Sequence, residues 1–132
     1  MLYMPLHQPT LHEQLLHHPP LRILSQHTGL HYLAADRLMY LSGEYNYSWL
    51  HGQDGGRILV PYTLKRMLAR LPRVSFVRLY RSYVVNRHYV DRIETHPTSN
   101  HRAYLLTGEC LPIARRNWVA IRQQLGVVAQ KT

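Results

Sequence analysis

The stretch Val77–Asn86, VRLYRSYVVN, decides how this chain is read. From Phe76 to Val85 the composition is β-branched and aromatic, which is strand composition. Val77 and Leu79 alternate with Arg78 and Tyr80, as in a strand with one buried face. The alternation breaks at Arg81-Ser82. Around that break Arg78, Tyr80, Arg81 and Ser82 bring two guanidinium groups, a phenol and a hydroxyl within five residues.

Upstream, the period changes. Leu64, Met67, Leu68 and Leu71 fall on one face of a helix, with Thr63 as its cap and Pro72 as its end. Lys65, Arg66 and Arg70 point elsewhere, toward solvent or phosphate. Before that helix the pattern is again β. Arg22–Ser25 and Leu30–Leu33 flank a Thr28-Gly29 turn, and Ala35-Asp36-Arg37 turns the chain into Leu38–Leu41. Glu44–Leu50 reads as a loop entering a strand. Asp54-Gly55-Gly56 is a hairpin signal before the strand Arg57–Val60. Downstream, Val90–Thr95, Ala103–Leu106 and Leu111–Ile113 are strands, joined at His96–Arg102 and Thr107-Gly108-Glu109. A last helix runs from about Arg115 to Leu125 with Trp118, Ile121 and Leu125 inward. The fold class is mainly β with minor α: many strands, one short internal helix and a C-terminal helix.

Residues 1–20 differ from the rest. Pro5, Pro9, Pro19 and Pro20 allow at most a short helix over Thr10–His17, capped by Thr10 with Glu13 three residues on. This segment reads as an N-terminal arm on a domain spanning 21–132. Tyr3, Leu6, Leu11, Leu15 and Leu16 are its residues for burial against a partner surface.

At 132 residues with 45% hydrophobic content the chain fits one globular domain and an arm. It has no apolar run long enough for a membrane span, and its start lacks the features of a secretory signal. The single cysteine, Cys110, excludes an internal disulfide framework and suits a reducing cytoplasm. The net charge of +9 is unevenly placed. Residues 1–60 carry three arginines against four acids, whereas residues 61–132 carry thirteen Lys and Arg against three acids. A one-sided basic surface attracts polyanions and releases their counterions. Nucleic acid is the leading partner. A membrane surface is disfavoured, because the charges alternate with apolar residues instead of lining a long helix.

Enzyme chemistry finds little support. The ten histidines show no ligand spacing for a metal. Cys110 reads as a small semi-buried filler at a strand start. No nucleophile motif, phosphate loop or carboxylate pair is present, and neither a cofactor nor a small-molecule substrate is indicated. What remains is arginine among aromatic and amide neighbours. Arg81 suits guanine edges or phosphate. Ser82 and Tyr80 suit phosphate oxygens. Arg115-Arg116-Asn117, at the expected start of the last helix, offers free backbone N–H groups to an anion. A solvated charged face explains the same residues equally well, and spacing alone does not choose.

The segment Val77–Asn86 followed by Leu111-Pro112-Ile113-Ala114-Arg115-Arg116 resembles the signature of the LytTR family of bacterial DNA-binding domains. Leu41–Trp49 (LSGEYNYSW), Leu64-Lys65-Arg66 and Phe76 fall where that family has its other marks, and the resemblance covers about residues 21–126. It implies a compact, elongated β fold that regulates transcription by sending loops from a sheet into successive major grooves of duplex DNA. It also implies paired direct repeats as the target, often occupied by two copies, so that a homodimer forms on DNA. By position, Asn46, Tyr47, Arg81 and Arg116 are the base-contacting residues. Lys65, Arg78, Tyr80, Ser82, Arg115 and Asn117 fit phosphate contacts. Asn86 matches a family asparagine and is assigned to a structural turn.

Tyr80, Ala114 and Ser42 stand where the family commonly has histidine, serine and an acid. These departures leave one alternative from another class: a protein-interaction module that keeps the fold without specific DNA recognition. The chain leaves no room for the receiver or membrane segment that often precedes such domains, which points to a stand-alone regulator.

Overall fold

The structure is a computed structural model that describes residues 15–25, 27–98, 100–126 and, for their backbone alone, 129–131. Its centre is an antiparallel sheet of five strands. β1 (Leu21–Ser25) and β2 (Gly29–Leu33) form a hairpin ahead of it. β3 (Leu38–Glu44), β4 (Tyr47–Gly52) and β5 (Arg57–Val60) follow as a meander. After α1 (Leu64–Ala69), β6 (Phe76–Tyr80) and β7 (Tyr83–Asn86) return to the same sheet, and β7 pairs with β3. The order across the sheet is β5-β4-β3-β7-β6. A second sheet contains β8 (Val90–Thr95), β9 (His101–Leu105) and β10 (Cys110–Ile113). The helix α2 (Trp118–Leu125) leads to β11 (Ala129–Lys131), which runs parallel to β8.

The central sheet is buried on both faces, and strand periodicity shows how. Phe76 and Val84 face one way, into a core with Leu41, Leu50, Val60 and the α1 residues Leu64 and Met67. Val77, Leu79 and Val85 face the other way, against Ile93, Ala103, Ile113, Ile121 and Leu125. A strand covered on both sides reads as a nearly continuous apolar run, which is why Val84-Val85 breaks simple alternation. The hairpin β1–β2 and α1 cover the first face through Leu21, Ile23 and Met67. The second sheet and α2 cover the other.

Thr63 caps α1 as expected, its hydroxyl accepting from the Arg66 N–H at 3.2 Å. Leu15 and Leu16 are helical, and Leu15 is buried in the first core while Leu16 is exposed. The rest of the arm helix, with Thr10, Glu13, Tyr3, Leu6 and Leu11, lies outside the described residues.

Three local expectations change. The internal helix ends at Ala69 with Arg70 as its C-cap, so Leu71 lies beyond it and Pro72 is not what ends it. Glu44–Leu50 is a tight hairpin, not a loop entering a strand. Glu44 pairs with Tyr47, so Tyr45 and Asn46 alone make the turn. The last helix starts at Trp118, not at Arg115. Asn117 has φ −112° and ψ 23°, outside helical values, and the Ala114 N–H is taken by the Leu79 carbonyl at 2.7 Å. Arg115-Arg116-Asn117 is therefore a turn that precedes the helix.

Candidate nucleic-acid interface

Strand direction places two turns and the start of a helix together. Antiparallel pairing puts the β3–β4 turn (Tyr45-Asn46), the β6–β7 turn (Arg81-Ser82) and the start of α1 at one end of the central sheet. The β4–β5 turn with Asp54, and Asp36 just before β3, fall at the opposite end.

Two backbone hydrogen bonds stitch the basic end. The Gly43 N–H donates to the Ser82 carbonyl at 2.9 Å, which joins the first two turns. The third turn, Arg115–Asn117, is tied in by a bulge. In β6, Arg78 pairs with Val84 and Tyr80 with Tyr83, so Leu79 is an extra residue. An extra residue leaves the local ladder, and the Leu79 carbonyl is the one that accepts from Ala114. Gly43 has a second role. A Cβ there would lie 3.0 Å from Leu64 Cδ1 and Cγ, so the glycine lets α1 close on β3 and brings Lys65 beside the turns.

The side chains then fall into two hollows that share the β6–β7 turn. One, of about 300 Å³, is lined by Gly43, Tyr45, Thr63, Leu64, Lys65, Arg78, Arg81 and Ser82. The other, of about 620 Å³, includes Arg78, Tyr80, Arg81, Ala114, Arg116 and Asn117 in its lining. Of the ten candidate contact residues, seven therefore converge: Lys65, Arg78, Tyr80, Arg81, Ser82, Arg116 and Asn117. Asn46, Tyr47 and Arg115 are exposed and line neither hollow.

Charge is left unneutralised here. Among the described residues, the ion pairs are those of Arg92 with Asp91 and Glu94, remote from these turns. Lys65, Arg81, Arg115 and Arg116 have no described acid within pairing distance. Arg81 lies with its guanidinium carbon 5.9 Å from the Tyr80 ring centre. Arg78 is committed inward: its Nε donates to the Tyr80 carbonyl at 3.2 Å, and one Nη donates to the Arg81 carbonyl. It braces the turn that presents Arg81. The nearest acid, Glu44, accepts from Trp49 Nε1 at 3.3 Å.

Asn86 is fully buried. Its Nδ2 donates to the Leu38 carbonyl at 2.9 Å, and its Oδ1 accepts from the His88 N–H at 3.1 Å. The amide closes the short turn after β7 and faces no solvent. Of the departures from the family pattern, Ser42 bonds His51 Nε2 at 2.9 Å. Ala114 acts through its backbone.

The matching family model is the LytTr DNA-binding domain, over residues 28–126. The chain belongs to the LytTR family. A search of the curated proteins found no match. Among solved structures, the chain is similar to the LytTr DNA-binding domain of a protein described as a methyl-accepting/DNA response regulator from Bacillus cereus, with a TM-score of 0.70 and 21% identity. That match covers 82% of this chain and 97% of the other, and it supports the fold. LytTR membership makes this a DNA-binding domain of the regulator type.

One residue lining the smaller hollow was not legible beforehand. Tyr45 is 95% exposed and stands at φ 57°, the sole non-glycine with positive φ among the described residues. Glycine or asparagine signals such a turn in a sequence. A tyrosine there carries no signal.

The helix behind the third turn rests on an aromatic stack. His101 and Trp118 lie 3.9 Å apart and nearly parallel. Burial holds the His101 imidazole below its ordinary pKa, and the neighbouring His96 adds to the effect.

Proposed function

We propose that this chain is a sequence-specific regulator of transcription that binds duplex DNA in the cytoplasm. It reads bases in the major groove from turns at one end of its central sheet. The observation that carries the reading is the convergence of the β6–β7 turn, the Arg115–Asn117 turn and the start of α1, whose Arg81, Arg116 and Lys65 have no described acid partner. Arg81 and Arg116 each offer a planar fork that matches guanine O6 and N7. Asn46, on the first turn, and Tyr47, which opens β4, are a third base-reading point. Lys65, Arg115, Ser82, Tyr80 and Asn117 hold phosphate. Arg78 does so with the part of its guanidinium not spent on the β6–β7 turn.

The target is a pair of direct repeats bound by two copies, each contributing a domain of residues 21–132 preceded by the arm. Selection of sites from random duplex DNA tests this, and a motif repeated at about one helical turn is the expected result. Arg81→Ala should relax base preference by about 1–3 kcal/mol at one position. Lys65→Ala should weaken selected and random DNA alike. Failure to enrich any motif, with binding lost at physiological salt, would instead assign the fold to protein interaction.

A further inference from the structure

We infer that Tyr45 is a DNA-backbone contact that closes a seat for one phosphate over Lys65 and Ser82. The inference rests on the proposed function and adds a residue to it.

An exposed aromatic by itself asks for no explanation. A tyrosine at φ 57° does. That conformation disfavours an L residue by about five- to thirtyfold relative to its ordinary region. Glycine adopts it freely and is the usual first residue of a two-residue turn with positive φ at that position. Nothing in the fold repays Tyr45, because its side chain is 95% exposed. The ring makes no described stack, and its hydroxyl has no described hydrogen bond.

What the conformation achieves is placement. Tyr45 sits at the rim of the hollow of about 300 Å³ that Lys65, Arg78, Arg81 and Ser82 also line. Lys65 brings an ammonium group with no described acid partner, and the Ser82 hydroxyl has no described partner. The start of α1 is held against β3 by Gly43, so Lys65 cannot drift from the turn without moving Leu64. A hollow with a cation, a hydroxyl and an aromatic rim suits a sugar–phosphate unit. The phosphate oxygens take Lys65, Ser82 and the Tyr45 hydroxyl, and the deoxyribose lies against the ring. Glu44, the adjacent acid, is directed to Trp49 and leaves the seat positive.

Tyr45→Gly in the full chain separates contact from fold. The substitution relieves the backbone, so the melting temperature should stay level or rise. Affinity for a selected duplex and for random duplex DNA should fall together by about five- to twentyfold. Tyr45→Phe should lose a smaller part of that, through the hydroxyl alone. The salt dependence should be unchanged in both, because no charge is removed. Unchanged affinity in Tyr45→Gly overturns the inference. So does a drop in melting temperature that matches the affinity loss, because the ring would then be packing within the protein. Arg81→Ala keeps the two levels apart. If it relaxes base preference while Tyr45→Gly changes nothing, this inference alone fails. If neither wild type nor variant selects a sequence, the proposed function fails with it.

Discussion

Raising the salt should weaken binding to a duplex carrying a single repeat, and the placement of cations sets how steeply. Each phosphate neutralised contributes about −0.9 to the slope of log affinity against log salt. If Lys65, Arg78 and Arg115 hold phosphates while Arg81 and Arg116 read bases, the slope is about −2.7. If all five held phosphate it would be about −4.5. Between about 50 and about 200 mM salt these limits correspond to losses of about 40-fold and about 500-fold. Fluorescence anisotropy with a labelled duplex distinguishes them. The expected value lies near the shallower limit, and Lys65→Ala should reduce its magnitude by about 0.9. Arg81→Ala should leave it nearly unchanged while abolishing preference at one base pair. A wild-type slope shallower than about −1.5 would refute the reasoning, because the basic end of the sheet would then not face the phosphates. A slope that drops by a full phosphate in Arg81→Ala, with base preference intact, would move Arg81 to the backbone.

Asn86→Ala removes a buried amide with two partners, leaving the Leu38 carbonyl and the His88 N–H without it. At about 1–3 kcal/mol for each of the two lost bonds the loss should be about 2–6 kcal/mol. Thermal denaturation should show a fall of about 10 °C. DNA affinity measured in the cold should stay within about twofold, and affinity loss without a stability loss would make Asn86 a contact instead. His101 adds a pH dependence. Its folded pKa is depressed below the ordinary 6.5, so the neutral form is favoured in the fold. Its contribution to stability is complete above that value and is lost as pH falls below it. His101→Phe keeps an aromatic ring against Trp118, and melting curves should then lose less stability between about pH 6.5 and about pH 5 than the wild type does. Equal losses in both would show that His101 is not the titrating group.

Much of the fold was legible because local chemistry marks it. The break in alternation at Arg81-Ser82 is the β6–β7 turn, Asp54-Gly55-Gly56 is the β4–β5 hairpin, and Thr63 caps the helix whose buried face is Leu64 and Met67. The errors fell where distant parts override local preference. Tyr45-Asn46 turns without a glycine because β3 and β4 pair through to Glu44 and Tyr47. Arg115 and Arg116 have adequate helix propensity, yet Leu79 holds Ala114 and delays the helix. β11 pairs in parallel with a strand some 35 residues earlier, which no short-range pattern encodes. The site was half legible for the same reason. Residue types nominated Arg81 and Arg116 separately. That Lys65, Arg81 and Arg116 surround one turn follows from the strand order β4-β3-β7-β6, and that order is a property of the whole sheet.

The bulge at Leu79 has a consequence for how such a protein can change. The carbonyl it frees anchors the peptide N–H of Ala114, and backbone groups are common to nearly all residue types. The gap between the β6–β7 turn and the Arg115–Asn117 turn is thus gauged by main chain, while Arg81 and Arg116 are side chains on exposed turns. Under the proposed reading, mutation can rewrite the letters that the domain recognises without altering the pitch at which it meets them. Divergent operators within one lineage would then differ in bases and agree in spacing.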